Sequence, residues 1–386
     1  MDKKRMLSQR GFSLVEMMIA MTIGLMITAG LVTIFANTSN SQSELRKTSQ
    51  QIENGRYAMD VMTQDLQVTG FYGPWRNYTA PAAAPDICDL SMANLTASVA
   101  LPIQPFSTGT SLTTVPVLPA SCNVVLPSGN LQPGSDVVVI RRADTNFVPV
   151  GTATTAGTVY MQGNAASTQA VILQAGGGTT TCTSKADGTA ATEQRRLQYP
   201  NSIDPCNGTP NPAAYIRQFH VRIYFVAPCA IPVGTTCDST ADGGKPIPTL
   251  KRLELTSTGG ATSFKTTNIS EGVEYLKVGY GVDDQPATVN TDTGLIGDGS
   301  PDSYTYTPSL AQMSNIVTAR IDILVRNPEP SASFTDSKTY LLGVDPVINT
   351  NAYVSIPATS LDRTYRRHVY SAEVRLVNLS SRKEIP

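Results

Sequence analysis

Histidine is almost missing from this chain, with His220 and His368 the only two in 386 residues. Neither has the companions that nucleophilic or general acid–base chemistry needs. His220 follows Phe219 and precedes Val221 on the opposite face of a strand-like run, a surface position, and His368 follows Arg366 and Arg367 at an edge. No nucleophile elbow or metal triad appears, and Gly176-Gly177-Gly178 lacks the Lys and Ser/Thr of a phosphate loop, so it reads as a flexible turn. No CxxC occurs, which removes a zinc ribbon or thioredoxin-like motif. An excess of one charge sign is also lacking: the formal net charge is −1 with 15% charged residues, so neither an acidic tail nor a basic nucleic-acid arm is present. The dibasic spots Arg141-Arg142, Arg195-Arg196 and Arg366-Arg367 are scattered, a weak basis for nucleic acid as a partner. Composition therefore speaks against an enzyme. Aromatics are only 6%, while Gly, Pro, Ser and Thr are plentiful, which suits an extracellular β-rich module with long loops.

Proline and charge are both missing from one long run, and there their absence is informative. Between Phe12 and Ala36 the only charged residue is Glu16. The run is long enough to cross a hydrocarbon core roughly 30 Å thick. Lys3, Lys4, Arg5 and Arg10 precede it and hold the amino-terminal side in the cytoplasm, so the rest of the chain lies outside. A carboxylate inside an apolar helix needs compensation. Gly24 and Gly30 weaken the helix by roughly 1 kcal/mol each, or else permit close helix packing.

Past Ala36 the helix pattern continues. Leu45, Ile52, Met59 and Leu66 recur at heptad spacing with Met62 between, giving an apolar stripe on a helix that ends before Gly70-Phe71-Tyr72-Gly73-Pro74-Trp75. The expected organisation is residues 1–11 as a basic leader, 12–36 as a membrane or fibre-core helix, 37–69 as its amphipathic continuation and 70–386 as a β-rich head. The head opens with a stapled loop region from Thr79 to about Gly134 that has few regular elements. Strands are expected at 136–141, 216–226, 250–255, 273–280, 317–325 and 370–376. Short strands between turns make an antiparallel sheet with one face on the long helix, an α+β fold.

All six cysteines lie beyond the anchor, on the oxidising side. Sequential pairing, Cys88–Cys122, Cys182–Cys206 and Cys229–Cys237, is expected because each pair brackets a turn-rich segment and short loops close most readily. Asp283, Asp284, Asp292 and the alternating Asp298-x-Ser300-x-Asp302 offer oxygen ligands for calcium, with Asp292, Asp298, Ser300 and Asp302 the candidate set. Asx turns around Gly and Pro account for the same residues.

Gly11-Phe12-Ser13-Leu14-Val15-Glu16, between the basic leader and the apolar run, resembles the class III signal of type IV prepilins. That resemblance implies cleavage between Gly11 and Phe12 by prepilin peptidase, N-methylation of Phe12, and retention of the helix. The new Phe12 amine and Glu16 lie about one helical turn apart, so they can pair within one chain. In the pilin family the pairing is attributed instead to neighbouring subunits, where it sets their axial register. Gly55-Arg56-Tyr57-Ala58-Met59, Asp65-Leu66, the stretch Gly272 to Asp283 and the late strands 316–326 and 365–378 resemble the PilW-type minor pilins. The implied fold is type IV pilin-like, with the long helix packed on an antiparallel-sheet head. The implied role is to help initiate pilus assembly at or near the tip. Its partners would be other minor pilins, the major pilin, prepilin peptidase, the inner membrane and a large tip adhesin. Its route would run from a single-pass inner-membrane protein with a periplasmic head to the pilus surface. A J-type pseudopilin of type II secretion, or a tip-located adhesin or DNA-binding module, are the alternatives.

Overall fold

The computed structural model describes residues 11–75, 81–148, 153–163, 172–177, 216–285, 297–331, 334–344 and 352–382. Cys182, Cys206, Arg195, Arg196, Gly178 and Asp292, named above, lie outside the described residues. One helix, α1, runs Leu14–Gln67. The chain divides into two compact units, Met1–Gln50 and Gln51–Pro386.

Among the described residues, the second unit contains the carboxy-terminal part of α1, a short helix α2 (Met92–Ser98) and thirteen strands: β1 Ile103–Phe106, β2 Val137–Ala143, β3 Val159–Gln162, β4 Ile172–Ala175, β5 Ile216–Ala227, β6 Thr249–Thr258, β7 Ala261–Glu271, β8 Val273–Val282, β9 Ser303–Thr305, β10 Ile316–Arg326, β11 Thr339–Leu342, β12 Val354–Pro357 and β13 Arg367–Arg375. The pairings between these strands are all antiparallel among the described residues. Strands β1 to β7 form one sheet centred on β5, which pairs with β2, β3 and β6; a second sheet has the order β13-β10-β8-β9, and β11 pairs with β12. All the expected strands are present. The fold is the α+β, pilin-like arrangement of a long apolar helix, antiparallel sheets and stapled loops.

Strand periodicity sends alternate side chains to opposite layers, and in this head both faces of the first sheet are covered. Val138, Ile140, Tyr224 and Val226 meet Ala58, Met62 and Leu66 of α1 together with Leu276, Val278, Ile321 and Ile323 of the second sheet. Val137, Val139, Phe219, Val221, Ile223 and Phe225 point the other way, onto Cys88, Leu95, Val99, Cys122, Leu126 and Leu131. Burying Met62 and Leu66 contributes about 1.5–3 kcal/mol each to holding α1 on the sheets. Behind the second sheet, Tyr275 and Leu324 pack on Tyr340, Leu342, Val354 and Ile356 of the β11–β12 hairpin.

The face α1 buries overlaps the heptad stripe only in part: Met62 and Leu66 lie in the core and Met59 packs against it, but the amino-terminal stripe members do not. Gln51, Gly55, Ala58, Met62, Asp65 and Leu66 are buried, whereas Ile52 is 44% exposed and Leu45 69%. Close approach decided this: a Cβ on Gly55 would sit 2.3 Å from the Tyr370 ring, so only glycine lets α1 lie against β13. Gln51 adds hydrogen bonds from Nε2 to the Val325 carbonyl at 2.7 Å and the Arg366 carbonyl at 3.2 Å. Between residues 81 and 134 the regular elements are few, as expected: α2, the edge strand β1 and two short 3-10 turns.

Three sequence readings of charged residues are corrected. His220 is buried rather than at the surface, with Nε2 3.2 Å from Asp144 Oδ2 and Nδ1 4.0 Å from Glu254 Oε1. Arg141 is fully buried; it donates to the Leu101 carbonyl and Gln104 Oε1, both at 2.7 Å, and burial lowers its pKa to about 10. Arg367 is buried between Glu274 and Asp336. Neither Arg141 nor Arg367 is available to nucleic acid. The sheets are also pinned by an ion pair between Asp136, just before β2, and Lys277 on β8, at 3.1 Å and 2% and 0% exposure.

Candidate functional site

The amino-terminal unit carries the sequence motif. Here α1 begins at Leu14, with the Met17 N–H donating to the Ser13 carbonyl at 3.1 Å. Glu16 Oε2 accepts the Ser13 N–H at 2.9 Å, so the carboxylate sits over the unsatisfied N–H groups of the first turn, where the helix dipole favours negative charge. Phe12 is 91% exposed at the helix start. In this geometry Glu16 lies one turn above the bond before Phe12.

The following helix hides its own polar groups. Thr22, Thr28 and Thr33 donate their hydroxyls back to the carbonyls of Ile19, Gly24 and Ala29, at 2.9, 2.7 and 2.9 Å. Such back-bonding removes free donors from a surface meant for an apolar medium. Sequence reading passed over these threonines, although hydroxyls recurring in an apolar run were the available signal. The large apolar side chains from Leu14 to Phe35 are all exposed, and the helix is long and apolar enough to cross a membrane. An ideal Cβ on Gly24 or Gly30 would meet nothing within 4 Å, so neither glycine serves packing inside the chain.

At the other end of α1 lies a charged cluster that the sequence reading missed. Asp65 accepts from Arg222 and from the Tyr224 hydroxyl, and Arg252 Nη1 lies 3.7 Å away. Arg222 Nε donates to Glu254 Oε1 at 2.8 Å, and Arg252 Nη2 to Glu254 Oε2 at 3.2 Å. Burial, then the neighbouring Asp65 charge, pushes the Tyr224 phenol up; burial pushes His220 down, despite Asp144 beside it. Every group in this cluster has a partner of opposite charge or a hydrogen bond, and its chemistry is that of a clamp between α1 and the sheet.

Cys88–Cys122 and Cys229–Cys237 are disulfides. In the acidic loop, Asp298 Oδ1 accepts the Ser300 N–H at 2.8 Å, Asp302 Oδ2 the Asp284 N–H at 3.1 Å, and Asp283 Oδ2 the Gly299 N–H at 2.9 Å. Calcium there would compete with these donors. Among the described residues, the group of acidic, His or Cys side chains with ligand atoms within 4.8 Å of one another is Asp86, Cys88 and Cys122. Both of its sulfurs are committed to the disulfide.

Comparison with known families adds to this geometry at both ends of the chain. Residues 236–378, from the Cys229–Cys237 loop through β13, match the family described as type IV pilus-assembly protein W, PilW. Residues 6–32 match the prokaryotic N-terminal methylation motif. Both matches are consistent with a PilW-type minor pilin. The PilW region covers β6 to β13, which holds Gly272–Asp283 and the late strands that carried the resemblance. The methylation motif covers Gly11, Phe12, Glu16 and both helix glycines. No curated protein and no solved structure matches the chain. The methylation motif and the apolar helix fit a membrane-anchored pilin, and the PilW match fits a component of pilus assembly.

Proposed function

We propose that this minor pilin helps initiate type IV pilus assembly, at or near the fibre tip, by docking on other minor pilins. The observation that carries the proposal is the division of labour along α1. Its first unit is apolar and uncovered through Phe35, while from Gln51 its buried face is committed to the head. A helix of that kind supplies an assembly surface in an apolar bundle and, from Gln51 on, a face that holds the head. Prepilin peptidase cuts between Gly11 and Phe12, Phe12 is N-methylated, and the head faces the periplasm before assembly. The freed amine then offers Glu16 a positive partner in place of the Ser13 N–H, within the chain or from an adjoining subunit. The amine exists only after cleavage, so processing is coupled to register in the fibre.

Deleting the gene tests this reading. Loss of surface pili and of twitching, restored by the wild-type copy, is the expected result. Intact pili together with blocked export of a secreted protein would instead assign the chain to a secretion pseudopilus.

A further inference from the structure

Among the polar side chains gathered at the end of α1, His220 is the one whose ordinary titration lies near neutral pH. It is buried on β5 with charged groups on each neighbouring element. Arg142 on β2 is its cross-strand partner, and Asp144 follows β2. Arg222 and Tyr224 share its strand, Arg252 and Glu254 project from β6, and Asp65 comes from α1. Lys265 on β7 is the cross-strand neighbour of Glu254. The carboxylates of Asp65, Asp144 and Glu254 are thus already matched by Arg142, Arg222, Arg252 and Lys265 before the imidazole takes up a proton.

Geometry fixes where the neutral ring carries its hydrogen. Ionised Asp144 can only accept, so the hydrogen sits on Nε2, 3.2 Å from Asp144 Oδ2. Nδ1 is then a lone pair with no donor to meet. It is buried without a hydrogen-bond partner and lies 4.0 Å from Glu254 Oε1, itself an acceptor. Protonation turns Nδ1 into a donor facing that oxygen, and a hydrogen bond between them needs Glu254 to approach by about 1 Å. Glu254 is not idle. Its Oε1 accepts Arg222 Nε at 2.8 Å and its Oε2 accepts Arg252 Nη2 at 3.2 Å, and these two guanidinium groups flank Asp65. An approach to the imidazolium draws Glu254 away from both arginines, while the new positive charge repels them. Burial, then the Arg142 charge, keeps the ring neutral until pH falls below the usual 6.5 of histidine.

We propose that His220 is an acid-operated release for the clamp between α1 and the first sheet: its protonation takes Glu254 from Arg222 and loosens the last turn of α1, around Asp65, from β5 and β6. The loosening is local. Ala58 and Met62, one to two turns earlier, have no part in the clamp and stay packed in the core. The exit of the helix is where release shows, because the Gly70 N–H is tied to the Arg141 carbonyl of β2 at 3.0 Å.

Hydrogen–deuterium exchange on the full-length protein in detergent tests this, at about pH 7.5 and about pH 5, with rates corrected for their intrinsic pH dependence. Amides from Gln64 to Gly70 should lose protection roughly tenfold at the lower pH, while those from Gly55 to Met62 keep theirs. In His220→Gln the protection from Gln64 to Gly70 should be the same at both pH values. Unchanged protection in the wild type, an equal loss in His220→Gln, or a loss spread evenly through the head would overturn the proposal. A second measurement needs no variant. The Arg222 Nε–H resonance of the wild-type protein should shift with the same midpoint as the His220 imidazole, and an Arg222 signal that ignores the titration of His220 would overturn the proposal as well.

Discussion

At the scale of single residues, the head is held by buried charges whose partners lie far away in sequence. Lys277 Nζ donates to Asp136 Oδ1, to Thr108 Oγ1 at 2.7 Å and to the Gly109 carbonyl at 2.8 Å, so all its protons are used. Burial pushes the Asp136 carboxyl up and the Lys277 ammonium down, each toward neutrality, and their mutual attraction opposes both shifts. Lys277→Met leaves Asp136 buried alone and should lower unfolding stability by about 3–5 kcal/mol in urea titrations; Lys277→Met with Asp136→Leu should recover most of that loss. His220 faces Asp144, Glu254, Arg142 and Arg222, and burial followed by Arg142 holds its pKa below the usual 6.5. Above pH 6.5 the imidazole is neutral whether the chain is folded or not. As pH falls from there through the lowered folded value, the unfolded chain takes up the proton first and stability drops. Asp144 and Glu254, both held below their usual 3.8 and 4.5, lose their contribution only at lower pH. Melting temperature should therefore decline from pH 6.5 toward 5, and His220→Gln should flatten that part of the curve. None of these pairings was legible in the sequence, because hydropathy patterning marks polar residues as exposed and cannot see a partner across another strand.

Secondary-structure elements were much more legible than their contacts. Long periodic runs announced α1, β2, β5, β8 and β10, since a helix or a buried strand is written in neighbouring residues. The heptad stripe marked Met62, Leu66 and the partly buried Met59, but not Gln51, Gly55 and Asp65, which join the buried face through close approach and hydrogen bonds rather than hydropathy. Gly55→Leu should consequently destabilise the head by about 1–3 kcal/mol through overpacking against Tyr370, measured by thermal unfolding in detergent, and Tyr370→Ala should relieve it. Gly24 and Gly30 meet nothing in the chain, so the same measurement should leave their alanine variants close to wild type. The loops between Thr79 and Gly134 were the least legible part of the described chain. Their order comes from the Cys88–Cys122 disulfide and from packing on the first sheet, both long-range features.

For the whole molecule, function was legible where it depends on a local motif. Glu16 stood out by its charge in an apolar run, Gly11 and Phe12 by the resemblance of their hexapeptide to a prepilin signal, and the methylation motif and the PilW region bear out that family reading at opposite ends of the chain. Gly11→Leu should block processing, seen as a leader still attached by intact mass. A product beginning at Phe12 from that variant would move the cleavage site. The central claim is that cleavage creates an amine which Glu16 must meet for the subunit to enter the fibre. Its most direct test compares the amounts of wild-type and Glu16→Val protein in sheared pili, with leader removal verified by mass for both. The account predicts a variant that is inserted and cleaved normally but largely missing from the fibres. Equal amounts of the two cleaved proteins in the pili would contradict it.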